Sequence, residues 1–177
     1  MVEQGYHLPY DQLYNADDAI VHAVVNFSGY CSGVVVSPDG LVFTNHHCGF
    51  DAIRQHSTVE HDYMLHGFCA NSLKDELPNE DLFVSMLVAQ KDVTPLVEEH
   101  DFRSLDNDKQ ENILRTIEQM ENKRIQTIDP TLHAELKPYY EGNRYYVDIY
   151  RDFQDVRLVF APPKSMGQFG GETDNWM

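Results

Sequence analysis

The chain has 177 residues, 42% of them hydrophobic, and a formal net charge of −16. That hydrophobic content is enough for a core, while the acidic balance excludes the clustered Lys and Arg with which nucleic-acid binders neutralise phosphates. No apolar run approaches the roughly 20 residues of a membrane helix, and Met1 to Tyr14 lacks the basic start and apolar stretch of a signal peptide, so the sequence as written carries neither a membrane span nor an export address.

After a polar, tyrosine-containing lead come DDAIVHAVVNF (17–27), CSGVVVS (31–37) and LVFTN (41–45). These are short β-branched and aromatic runs separated by Gly, Ser, Pro and Asp, the pattern of consecutive antiparallel strands. Between the second and third, SPDG puts Pro38 at the second turn position and Gly40 at the fourth, as a type I turn prefers, which predicts a hairpin over Cys31 to Asn45. Residues 104–128 read as a helical insertion. Leu105, Ile113, Leu114, Ile117 and Met120 recur near helical spacing there, Glu and Lys cover the other face, and Asp129-Pro130 ends it. Strand-like RYYVDIY (144–150) and VRLVFA (156–161), joined by the polar RDFQD, predict a second hairpin, and the Gly-rich tail from Lys164 onward reads as a loop. Because a compact domain rarely closes on such a loop with Trp176 and Met177 at its end, the chain is expected to be a piece of a longer protein.

The segment richest in chemistry is SPDGLVFTNHHCGF, Ser37 to Phe50, where an apolar run delivers His46, His47 and Cys48. Three readings are open on the residues alone. Zinc favours His and Cys ligands, and His56, His61 or His66 could complete a site, although spacings of five residues do not share a helix face and H-E-x-x-H is absent. One histidine could be a catalytic base, or both could be packed, hydrogen-bonded residues at a strand end. The three cysteines, Cys31, Cys48 and Cys69, have no C-x-x-C spacing, which disfavours a zinc ribbon or a thioredoxin-type pair and leaves room for one disulfide or for buried thiols.

A histidine at the end of a core strand, with a cysteine directly after it and another on the preceding strand, resembles the T-A-A-H-C segment of trypsin-like serine peptidases; here it is Thr44-Asn45-His46-His47-Cys48. Matching on the cysteine makes His47 the general base, held within reach of a serine hydroxyl and oriented by a carboxylate. The same resemblance implies a Cys31–Cys48 disulfide, worth roughly 3 kcal/mol in the chain-entropy model, with Cys69 a buried or incidental thiol.

The likeness extends further. The stretch from Ser37 to Ala70 and the block YYEGNRYYVDIYRDFQDVRLVFAPPKSMGQFGGETDNWM, together with DDAIV and LPNEDLFV, resemble the bacterial dipeptidyl-peptidases 7 and 11, family 46 of the serine peptidases, from about residue 16 onward. The resemblance implies a mainly β fold with a helical insertion, part of a trypsin-like double β-barrel that a helical domain caps. It implies a periplasmic or surface exopeptidase, homodimeric and without a cofactor or metal, that releases dipeptides from the free N-terminus of peptide substrates. Asn175 and Trp176 match the positions that hold the substrate's α-amino group, which an Asn carbonyl oxygen can accept from; the alternative for Asn175 is a turn residue, and packing at Trp176 is compatible with binding.

The family's triad Asp lies in an H-T-G-D continuation beyond DNWM and its Ser lies much further on, so residues 1–177 are expected to be a partial catalytic domain, inactive alone. Neither Ser32 nor Ser165 has a nucleophile's context, and Asp174 does not match the triad Asp. The alternative expectation is a stand-alone, non-catalytic β domain that binds peptide amino termini through Asn175 and Trp176.

Overall fold

The three strands expected at the start are present as an antiparallel meander: β1 (Val24–Phe27), β2 (Cys31–Val35) and β3 (Val42–Thr44). The structure, a computed structural model, describes residues 5, 7, 9, 11–15, 19–99 and 101–167. It divides into two units, the first made of residues 1–85 and 153–177 and the second of residues 86–152. No helix among the described residues is long and apolar enough to cross a membrane.

In the first unit Val25 pairs with Gly33 and Phe27 with Cys31, while Gly33 pairs with Thr44 and Val35 with Val42. Side chains alternate across the pleat, so Val25 and Phe27 are buried and Val24 is exposed. The expected turn closes as Gly40 N–H donates to the Ser37 carbonyl at 3.3 Å, and Ser37 Oγ accepts from Leu41 N–H at 3.0 Å. Gly40 sits at φ 82°, where a side chain would be strained. Two short helices follow, α1 (Phe50–His56) and α2 (Tyr63–His66).

The second expected hairpin is not formed. RYYVDIY continues through RDF as one strand, so only Gln154 and Asp155 separate it from Val156. VRLVFA breaks into two short strands that pair elsewhere. Val156–Leu158 lies antiparallel to Leu77–Asn79, and Phe160–Ala161 to Phe68–Cys69. In chain order these are β4 (Phe68–Cys69), β5 (Leu77–Asn79), β9 (Val156–Leu158) and β10 (Phe160–Ala161). The tail read as a loop begins instead with a helical turn, α5 (Lys164–Gly167). Residues 168–177 lie outside the described residues.

The second unit holds most of β6 (Val84–Asp92), then α3 (Thr94–Glu98), α4 (Asn107–Ile128), β7 (Leu132–Tyr139) and most of β8 (Arg144–Phe153), with the strands in the order β6-β8-β7. The partner of RYYVDIY is therefore β7, paired from Leu132–Arg151 to Tyr139–Arg144. A turn in which Tyr140, Glu141 and Gly142 all take positive φ connects the two.

Helix α4 occupies the segment read as helical, and Asp106 caps it by accepting from Lys109 N–H at 3.0 Å. Its buried row is Ile117, Glu121 and Ile125, four residues apart, whereas Met120, expected on the apolar face, is 65% exposed. A four-residue step keeps a side chain near the same face. Glu121 is tolerated there because Lys91 Nζ (2.7 Å) and Arg124 Nε (3.0 Å) both reach its carboxylate. Burial opposes its ionisation, but those hydrogen bonds and charges outweigh burial and hold the carboxyl below the usual glutamate range. With Val93, Val97, Phe102, Ala134, Val147 and Ile149, this face closes the unit's core.

The fold is mainly β with a few helices, and among the described residues the strands close into no barrel.

Candidate active site

The hairpin β2–β3 and helix α1 meet at a five-residue corner. Asn45 is extended, His46–Gly49 forms a single 3-10 turn, and α1 starts at once at Phe50. Cys48 N–H donates to the Asn45 carbonyl at 3.0 Å, closing the turn. A 3-10 turn advances about 120° per residue, so neighbouring side chains in it must point in different directions. That geometry separates the two histidines.

Cys48 points inward and is 4% exposed. It is joined by a disulfide to Cys31, the first residue of β2, with Cα atoms 6.1 Å apart. Beside the bridge, Tyr30 Oη donates to the Cys48 carbonyl at 2.9 Å. Burial, and then the nearby charge of Asp51, push the Tyr30 phenol above its ordinary pKa, so it remains a donor. Thr44 Oγ1 donates to the Ser32 carbonyl at 2.8 Å and ties the end of β3 to β2. The corner is thus held by a covalent bond, a phenol bond and the strand ladder.

His47 is exposed, and a ring nitrogen lies within 4.8 Å of both disulfide sulfurs. These three residues are the one group of potential metal ligands gathered among the described residues, but two of them are oxidised to a disulfide and offer no thiolate. His56, His61 and His66 join no such group there. His56 Nε2 lies 3.1 Å from Asn79 Oδ1, and His61 stacks on Tyr63.

His46 points the other way. Both its ring nitrogens are buried, and the ring meets Phe50 edge to face with centroids 6.2 Å apart. Its other neighbour is Gly167, the last residue of α5. Sequence reasoning found the disulfide partners and the exposed histidine but not this contact, nor the Tyr30 bond. Gly-Tyr-Cys carries no signal for the bond beyond a tyrosine next to the bridge. Asn175 and Trp176 lie outside the described residues. Cys69, on β4, is a free and exposed thiol, which corrects the buried alternative of the two expected for it.

An exposed imidazole on a rigid corner can give and take a proton at a fixed place, which is the demand on a general base. Known proteins match the chain along its whole length. The model of the Peptidase S46 family matches residues 1–177. Dipeptidyl-peptidase 7 of Porphyromonas endodontalis is 47% identical over 178 residues, covering 100% of this chain and 22% of that relative. The Asp/Glu-specific dipeptidyl-peptidase of Porphyromonas gingivalis is 41% identical over 183 residues, covering 100% of this chain and 25% of that relative. The crystal structure of Porphyromonas endodontalis DPP11 in complex with the dipeptide Arg-Glu superposes with a TM-score of 0.83 at 40% identity, over 99% of this chain and 26% of that one. The chain therefore spans about a quarter of the length of the relatives it matches. With a corner that fits the chemistry and a family match along its whole length, the chain belongs to the Peptidase S46 family.

Proposed function

We propose that this chain is the histidine-bearing part of a serine-type dipeptidyl-peptidase that releases dipeptides from the free N-terminus of peptides, with His47 as its general base. The observation that carries the proposal is the opposed setting of the two histidines: His47 is exposed beside the Cys31–Cys48 bridge, while the His46 ring is packed against Phe50 and Gly167. The relatives' dipeptidyl-peptidase names and the dipeptide in the DPP11 complex support the substrate class.

In this reading His47 takes the proton of a serine hydroxyl as that oxygen attacks the second peptide carbonyl. A carboxylate orients the imidazole, and backbone N–H groups stabilise the tetrahedral oxyanion. His47 then protonates the leaving amine, and water, deprotonated by the same ring, releases the dipeptide from the acyl-enzyme. Asn175 and Trp176 hold the substrate's ammonium group, so the cut falls after two residues. The carboxylate and serine come from outside residues 1–177, which leaves this chain inactive alone. The trypsin-like double barrel, the homodimer and a periplasmic or surface location belong to the same proposal.

The test is His47→Ala in the intact peptidase. Loss of dipeptide release by about 10⁴-fold or more is expected, because removing a triad base leaves only binding and oxyanion effects. His46→Ala is expected to be milder. Retained activity in His47→Ala, or equal losses in the two variants, would overturn the assignment.

A further inference from the structure

Gly167 occupies a position where no side chain fits. A Cβ built on it would overlap Cδ2 and Cγ of His46 and lie 2.7 Å from its Nε2, well inside van der Waals contact. The ring has little room to yield. Phe50 stands edge to face with it, and its own backbone lies in the turn that the disulfide and Tyr30 hold. The segment leading to Gly167 is fixed as well. Ala161 pairs with Phe68, and Ala70 N–H donates to the Val159 carbonyl at 2.8 Å. A Cβ on Gly67 would lie 2.8 Å from the Ala161 carbonyl oxygen and 2.9 Å from Pro163 Cδ, so a second glycine allows a close approach on this segment. Met166 and Gly167 N–H groups donate to the Pro163 carbonyl at 2.8 and 3.0 Å, completing α5. Lys164 Nζ lies 5.8 Å above the Phe50 ring, the residue that also backs His46.

We infer that His46 is a positioning residue: its ring is the seat on which Gly167 rests, so one contact fixes the His47 corner to α5. The inference rests on the role proposed above for His47. It adds that the base is held in place by the packing of its neighbour's ring against α5. A glycine on one side and a planar ring on the other permit that approach, since any Cβ at 167 would displace one partner from the other.

The test is a size exchange in the intact peptidase, read by steady-state kinetics on a dipeptidyl substrate. Gly167→Ala is expected to lower kcat about 10–100-fold with KM little changed, because the methyl displaces the corner that carries the base. Adding His46→Ala makes room for the new methyl, so the double variant is expected to recover at least about 10-fold over Gly167→Ala. Measured well below the Tm of each variant, where the protein is folded, the loss of kcat reports displacement of the base and not unfolding. Should Gly167→Ala fail to fold, hydrogen exchange of His46→Ala gives an independent reading. Amides of residues 164–167 are expected to exchange roughly 10-fold faster while those of β7 and β8 are unchanged. No rescue in the double variant, or unchanged exchange at 164–167, overturns the inference. Both outcomes are separable from the His47→Ala test, whose failure would remove the catalytic reading and leave the packing contact in place.

Discussion

Removing the Cys31–Cys48 bridge isolates how much of the corner's rigidity is covalent. The variant is Cys31→Ala with Cys48→Ala, made in a Cys69→Ser background because Cys69 is an exposed free thiol able to exchange with the others. The bridge closes a sequence separation of 17 residues. In the chain-entropy model a loop of that length contributes about 3 kcal/mol at 25 °C, through the disorder it removes from the unfolded chain. Alanine suits the sites because Cys48 is buried and a small apolar residue leaves no unpaired polar atom. Hydrogen exchange of the intact protein, read by mass spectrometry on peptides covering residues 24–49, reports the local opening that an activity assay would miss. At about 1.4 kcal/mol per tenfold change, exchange there is expected to rise roughly 10²-fold. The β7–β8 hairpin, whose core is Val147 and Ile149, is expected to keep its protection. Exchange across residues 24–49 that stays within about threefold of the parent, or a rise of equal size in β7 and β8, would refute the view that the bridge stabilises the first unit locally.

Two further expectations follow from the same contacts. Tyr30→Phe keeps the ring, which meets Phe27 edge to face at 6.1 Å, and deletes only the bond to the Cys48 carbonyl. A loss of about 1 kcal/mol and exchange about fivefold faster at residues 46–49 are expected, and unchanged exchange would remove Tyr30 from the clamp. Glu121 carries an acid dependence: its folded pKa lies below its unfolded one, so its pairing stabilises the second unit above the unfolded pKa and that stability is lost as pH falls through the folded value. Acid unfolding followed by circular dichroism is expected to begin at higher pH in the parent relative to its neutral stability than in Glu121→Gln, which lacks the ion pairs at every pH; parallel curves would argue against the pairing.

Local signals in the sequence were sufficient where the structure is local. The β2–β3 hairpin follows from β-branched runs and SPDG, and α4 from periodicity plus Asp129-Pro130, because each depends on contacts a few residues apart. Helical phase was less legible. Met120 and Glu121 are adjacent, and hydrophobicity alone selects the methionine, whereas Lys91, 30 residues earlier, makes the glutamate the buried one. The misread hairpin has the same origin. RYYVDIY and VRLVFA are neighbours in sequence, but LHAELKPY presents a longer ladder to the first, and Leu77–Asn79 and Phe68–Cys69 take the halves of the second. LHAELKPY carries a weak strand signal because Pro138 and two charged residues dilute its alternation.

The histidine pair shows how the two kinds of information combine. Residue type cannot rank His46 against His47, and neither can local periodicity, since a turn of four residues has no repeat to read. The match on Cys48 selects His47, and the structure supplies a physical reason for expecting the neighbours to differ. In a turn that advances about 120° per residue, burying Cys48 for its bridge turns the preceding residue outward and the one before that toward Phe50 and Gly167. The disulfide thus does more than staple β2 to the turn: by fixing which way residue 48 faces, it sets the phase of the turn. A base one position earlier would sit against the glycine, and a base one position later would be the bridge itself. The order His-His-Cys is in this sense a geometric specification: a ring that seats the neighbouring segment, a ring offered to solvent and an anchor, read in sequence around one turn.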